Sequence, residues 1–95
     1  MAQRVEGKIV SITADGSLVT DISAEQLRAA PRDERVSIRC DEHMTQGLFA
    51  SRDDQPPATF LALLGSDGLL TLAVVGESAR DLLGLRVGEA VVVEW

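Results

Sequence analysis

Cys40, Asp41, Glu42 and His43 stand side by side, so that "CDEH" gathers four residue types that bind metals or move protons. Neighbouring side chains on a strand point to opposite faces, which makes convergence of all four on one ion geometrically difficult. A Cys40–His43 pair three residues apart is the one nucleophile–base combination that spacing suggests. The more ordinary reading is a strand that ends with Cys40 as a small buried side chain, followed by a solvated charged turn. Carboxylates are plentiful, but none has a context that implies a raised pKa, so acid–base work by a carboxylate pair has no candidate. No catalytic residue and no metal ligand is therefore assigned. The single cysteine excludes an internal disulfide.

A second group of polar residues lies in "ITADGSLVTDI", residues 12 to 22. Thr13, Asp15 and Ser17 surround Gly16 between two alternating runs. They read either as a ligand site or as the chemistry of a tight turn. Ser66-Asp67-Gly68 repeats the turn chemistry between two later apolar runs.

The elements that must position these groups follow from alternation and punctuation. Lys8 to Thr13 alternates as a half-buried strand, and Asp15-Gly16 is a favoured pair for a two-residue hairpin turn. "SLVTDI" returns with Leu18, Thr20 and Ile22 on one face and Val19 and Asp21 on the other. Ser23 and Gln26 form a capping-box pattern ahead of "AEQLRAA", a short helix that Pro31 closes. "RVSIRC" is a strand with Val36 and Ile38 inward, and "MTQGLFA" is another, interrupted at Gly47. "SRDDQPPA" reads as a polar loop stiffened by two prolines. "TFLALLG" and "LLTLAVV" form a second hairpin, apolar enough to be buried on both faces or against another subunit. "ESARDLLGL" is a short helix capped by Ser78 and ended by Gly84, and "AVVVEW" is the last strand.

Six to seven short strands with two short helices predict a mostly β fold, a small closed or partly open barrel forming a single domain over residues 1–95. No internal repeat is visible. Among 95 residues acids outnumber bases 15 to 9 and the net charge is −6. That balance argues against nucleic acid, whose phosphates are bound chiefly by Lys and Arg. With no Tyr, and only Phe49, Phe60 and Trp95 as aromatics, a base-stacking platform is also disfavoured. No apolar run reaches bilayer-spanning length and "MAQRVEGKIV" lacks a secretory signal, so no membrane role and a cytoplasmic location are expected.

The stretch "FLALLGSDGLLTLAVVGESARDLLGLRVGEAVVV", residues 60 to 93, resembles the C-terminal barrel domain of the S-adenosylmethionine hydroxide adenosyltransferase family, which includes the fluorinase and chlorinase enzymes. It matches a buried strand, Gly-Ser-x-Gly, Leu-x-Ile-Ala-Val, a short helix, Leu-Gly-Leu and Val-Gly-Asp. "GKIVSITADGSLVTDI" is similar to the family's Gly-x-Val-x-x-Ile-Asp-x-Phe-Gly-Asn-Leu-Ile-Thr-Asn-Ile.

The resemblance implies a ligand, S-adenosylmethionine or adenosine, and ligand-binding positions at Thr13, Ser17, Ser66, Asp67, Val75 and Gly76. Several depart from the family pattern. Thr13 stands where the family has an Asp that holds the amino-acid end of the ligand, which removes a charge-assisted hydrogen bond. Ser17 replaces an Asn that lies against the nucleoside, and it is shorter and lacks the amide. Asp15 replaces a Phe, and Asp21 an Asn. Ser66 matches a family serine, followed by Asp67. Val75 replaces a common Asn, leaving main-chain groups at Val75 and Gly76 to face the adenine. On this comparison turn chemistry outweighs an intact adenosyl site.

In the family a separate α/β domain activates water or halide, and nothing in these 95 residues matches it. Met1 directly precedes the first strand, which suggests a free-standing protein or an excised domain. The expectation is a stand-alone non-catalytic barrel that acts in protein association, as a homo-oligomer or with another protein, or in small-ligand binding. The alternative is an adenosyl-binding subunit of a two-chain S-adenosylmethionine-dependent adenosyltransferase, with a separate α/β partner chain.

Overall fold

A computed structural model describes residues 3–33, 35–49, 55–64 and 68–95. The alternating run after Gln3 is β1 (Arg4–Ile12), and "LVTDIS" is β2 (Leu18–Ser23). The two pair antiparallel, with Leu18, Thr20 and Ile22 buried as their spacing predicts. Then come β3 (Ser37–Cys40), β4 (His43–Gln46) and β5 (Leu48–Phe49). The apolar hairpin gives β6 (Phe60–Leu64) and β7 (Leu69–Val74), in register from Phe60↔Val74 to Leu64↔Leu70. A helix, α1 (Ala79–Leu83), and a last strand, β8 (Ala90–Glu94), complete the chain.

The strands hydrogen-bond in the order β4-β3-β8-β1-β2-β7-β6-β5. Its two ends, β4 and β5, are consecutive in sequence and separated only by Gly47. The sheet is thus closed on itself by the covalent chain, as a nearly closed barrel. Gly47 has φ 90° at this corner, a conformation that L side chains rarely adopt, and its N–H donates to Val36 O at 3.0 Å. Across the seam the Thr45 hydroxyl donates to Phe60 O at 2.9 Å.

The opposite corner is in β1. Residues Arg4 to Lys8 pair with β8, whereas Ile9 to Ile12 pair with β2, and the register shifts between Ile9 and Ser11. Such a bulge bends the strand and lets it serve two sheets. It also leaves Val10 outward and 41% exposed while Ile9 is fully buried. Where the ladder to β2 opens, the Asp21 carboxylate accepts the Lys8 N–H at 2.9 Å.

β2 carries its own irregularity between Val19 and Ser23. Thr20 repairs it from inside the wall. Its hydroxyl donates to Leu70 O at 2.7 Å and accepts the Ile22 N–H at 3.2 Å. A fully buried hydroxyl thereby stands in for missing ladder bonds.

The interior is lined by Ile9, Leu18, Ile22, Leu27, Val36, Ile38, Leu70, Leu72, Val74, Leu85, Val91 and Val93. Leu61 and Ala73 pair with each other on the other face of the β6–β7 ladder and are also fully buried. The near-continuous apolar runs therefore do belong to strands covered on both faces at this point.

Two local expectations are corrected. Residues 24–30 form successive turns, not an α-helix: Leu27, Arg28 and Ala30 donate to Ala24, Glu25 and Leu27, three residues back in each case. The capping box does form, with Ser23 N–H on Gln26 Oε1 at 2.9 Å and Gln26 N–H on Ser23 Oγ at 3.2 Å. Pro31 steers Ala30 away from helical angles, and the N–H groups after the cap bond three residues back, so the cap is followed by turns instead. Among the described residues one short helix remains where two were expected, and the strands number eight where six or seven were expected, because Gly47 divides one run in two.

Candidate functional site

The loop between β1 and β2 is the second correction. Thr13 N–H donates to Ser17 O at 2.9 Å, and Gly16 N–H to Thr13 O at 3.0 Å. The loop is therefore Ala14-Asp15-Gly16, a three-residue connection with a left-handed last residue, not a two-residue turn. Gly16 has φ 86°, while Asp15 has no positive φ. The side chains complete the loop. The Thr13 hydroxyl donates to the Asp15 carboxylate, and the Ser17 N–H reaches Thr13 Oγ1 at 3.1 Å and Asp15 Oδ1 at 3.3 Å.

The loop packs on the start of α1. A Cβ at Gly16 would overlap Ser78 Oγ and lie 2.6 Å from Ser78 Cβ, so only glycine fits there. Gly16 O accepts the Arg80 N–H at 2.9 Å, one of the donors a helix start leaves unpaired. Ser78 caps the same helix, its hydroxyl accepting Asp81 N–H at 3.3 Å, and Gly84 ends it at φ 68°. At its far end His43 Nε2 donates to Leu83 O at 3.0 Å, since a carbonyl can only accept.

Between the loop and the helix start lies an open depression of about 480 Å³, walled by Asp15, Gly76, Glu77 and Ser78. Gly76 is the third residue of a tight turn in which Glu77 N–H bonds Val74 O at 3.2 Å, and its φ of 74° suits that position. The polar groups of Val75 are committed elsewhere. Its N–H donates to Thr59 O at 3.0 Å, and its O accepts Ala58 N–H at 2.8 Å.

The structure thus brings Gly76 to the depression and sets Thr13 and Ser17 in the adjoining loop. Val75 is one residue away, with its backbone turned to residues 58 and 59. Ser66 and Asp67 lie outside the described residues, as does much of "SRDDQPPA". Glu77 and Ser78 line the depression without having been singled out for it. Ser78 was legible only as a helix cap, although its place two residues after Gly76 carried the hint.

Around "CDEH" the strand and the turn are as expected. Cys40 pairs with His43 across a turn of exposed Asp41 and Glu42, with φ 55° at Asp41. Cys40 is fully buried. Burial, with the charges of Glu89 and Asp41 adding to it, pushes its thiol up from 9.0 to about 11. Such a thiol stays protonated near neutrality and is a poor nucleophile. Among the described residues no three His, Cys, Asp or Glu side chains converge as a metal site would need. No helix among them is long and apolar enough to cross a membrane. A second depression, of about 400 Å³, is lined by Ala29, Pro31, Arg35 and Trp95.

The sequence pattern of the SAM hydroxide adenosyltransferase C-terminal domain matches residues 7–92. The chain belongs to this family. Solved structures agree on the fold of this adenosyltransferase C-terminal domain. An uncharacterized conserved protein from Thermotoga maritima superposes with a TM-score of 0.80 at 20% identity, over 95% of this chain and 35% of that one. A conserved hypothetical protein from Thermus thermophilus gives 0.71 at 27% identity, over 90% of this chain and 33% of that one. The chain therefore spans about a third of the length of each. No curated protein matches it.

The ligand implied by the family can be tested against these residues. At Thr13 the hydroxyl bonds Asp15 and the Ser17 main-chain N–H, so it holds the loop together. At Val75 the main-chain groups that would face adenine hold residues 58 and 59. Ligand contact at the Thr13 hydroxyl or the Val75 N–H would compete with bonds that the loop and the β6–β7 hairpin use.

Proposed function

We propose that this chain is a non-catalytic barrel of the adenosyltransferase C-terminal domain family that acts by protein association, first of all with copies of itself. The observation that carries this reading is the internal satisfaction of the 13–17 loop: Thr13, Asp15 and Ser17 bond one another. The buried, protonated Cys40 supports it from the side of catalysis. On the side of association, Val10 and Val87 are 41% and 57% exposed. They sit on neighbouring segments, because Gly88 N–H donates to Ile9 O at 2.8 Å. Large apolar side chains exposed together on a small barrel suit a partner surface.

Sedimentation equilibrium of the purified chain tests this. The expected mass is a multiple of the single chain, returning to one chain in a Val10→Glu, Val87→Glu double variant that keeps its β circular dichroism. A wild-type monomer at high concentration would contradict self-association.

A second reading is the adenosyl-binding subunit of a two-chain enzyme with a separate α/β partner. It is favoured by the depression at Asp15, Gly76, Glu77 and Ser78, since Gly76 is a position that the resemblance assigns to the ligand. Saturable binding of adenosine by the chain would bring this reading forward.

A further inference from the structure

No further inference is drawn: the strongest candidate, the open depression walled by Asp15, Gly76, Glu77 and Ser78 between the β1–β2 loop and the start of the five-residue helix, belongs to the site already described, and nothing in the structure beyond its two carboxylates and that short helix end points to a ligand.

Discussion

Replacing Thr20 by valine keeps the side-chain shape and removes one oxygen. In this wall that oxygen serves Leu70 O and the Ile22 N–H at once, both inside the barrel. Leaving buried groups unpaired costs about 1–3 kcal/mol each, so Thr20→Val should lower stability by about 2 kcal/mol or more in urea unfolding. A near-neutral result would mean that the wall does not depend on this hydroxyl. Gly16 and Gly88 offer a paired comparison. Both have positive φ, 86° and 98°, but a Cβ at Gly88 meets nothing while one at Gly16 meets Ser78. Gly88→Ala should cost about 1–2 kcal/mol from backbone strain alone. Gly16→Ala should cost a further 1–3 kcal/mol, roughly, from overlap, and equal losses would count against the loop–helix contact. Cys40 gives a pH signature. Its folded pKa of about 11 lies above the ordinary 9.0, so the folded state holds a proton that the unfolded state releases between those values. Stability should therefore fall as pH rises from 9 to 11, and Cys40→Ala should remove that part of the slope. The inward aim of Thr20 was readable from alternation alone. Its double hydrogen bond was not, because the need for it comes from a register shift against β7, a partner 50 residues away.

At the scale of elements, α1 is five residues long and held at both ends. Gly16 O and Ser78 take donors at its start, and His43 bonds Leu83 O near its end. Ser78→Ala should cost about 1 kcal/mol, with Ser78→Gly costing only a few tenths. Chemical denaturation of the two variants checks that order, and a reversed order would put the role of Ser78 in packing against Gly16 instead. Caps and hairpins of this kind were legible because their chemistry is local. The Ser78–Gly84 helix, the inward faces of β2 and β3, and the break at Gly47 all follow from residue types within one turn or strand. The segment 24–30 misled because a capping box signals where a helix would start, not whether the residues after it bond four back, and here they bond three back. The β1–β2 loop misled because Asp-Gly suits two- and three-residue connections alike. Which one forms depends on the Thr13–Ser17 bonds, and those on the bulge upstream. The bulge at Val10 had no signal of its own: the strand changes partner there because β8 and β2 compete for its two halves.

For the whole molecule, closure is the main fact. β1 forms one corner and Gly47 the other, so that among the described residues the eight-stranded order ends in the short strands β4 and β5. The Cα radius of gyration, 11.9 Å, is near the roughly 12 Å expected for a folded chain of this length. Family membership was legible from two ordered motif blocks. What sequence could not reveal is where the remaining polar groups go. Val75 donates its N–H to Thr59 O and accepts the Ala58 N–H because the β6–β7 ladder runs on one step past Phe60↔Val74, and that length is set by register. The proposal that this barrel has no adenosyl site of its own draws on those bonds. Calorimetric titration of the purified chain with adenosine, and separately with S-adenosylmethionine, tests it most directly. The account predicts no saturable heat up to millimolar ligand. Micromolar binding, weakened by Gly76→Val while the fold is kept, would contradict it and would point to a separate α/β subunit.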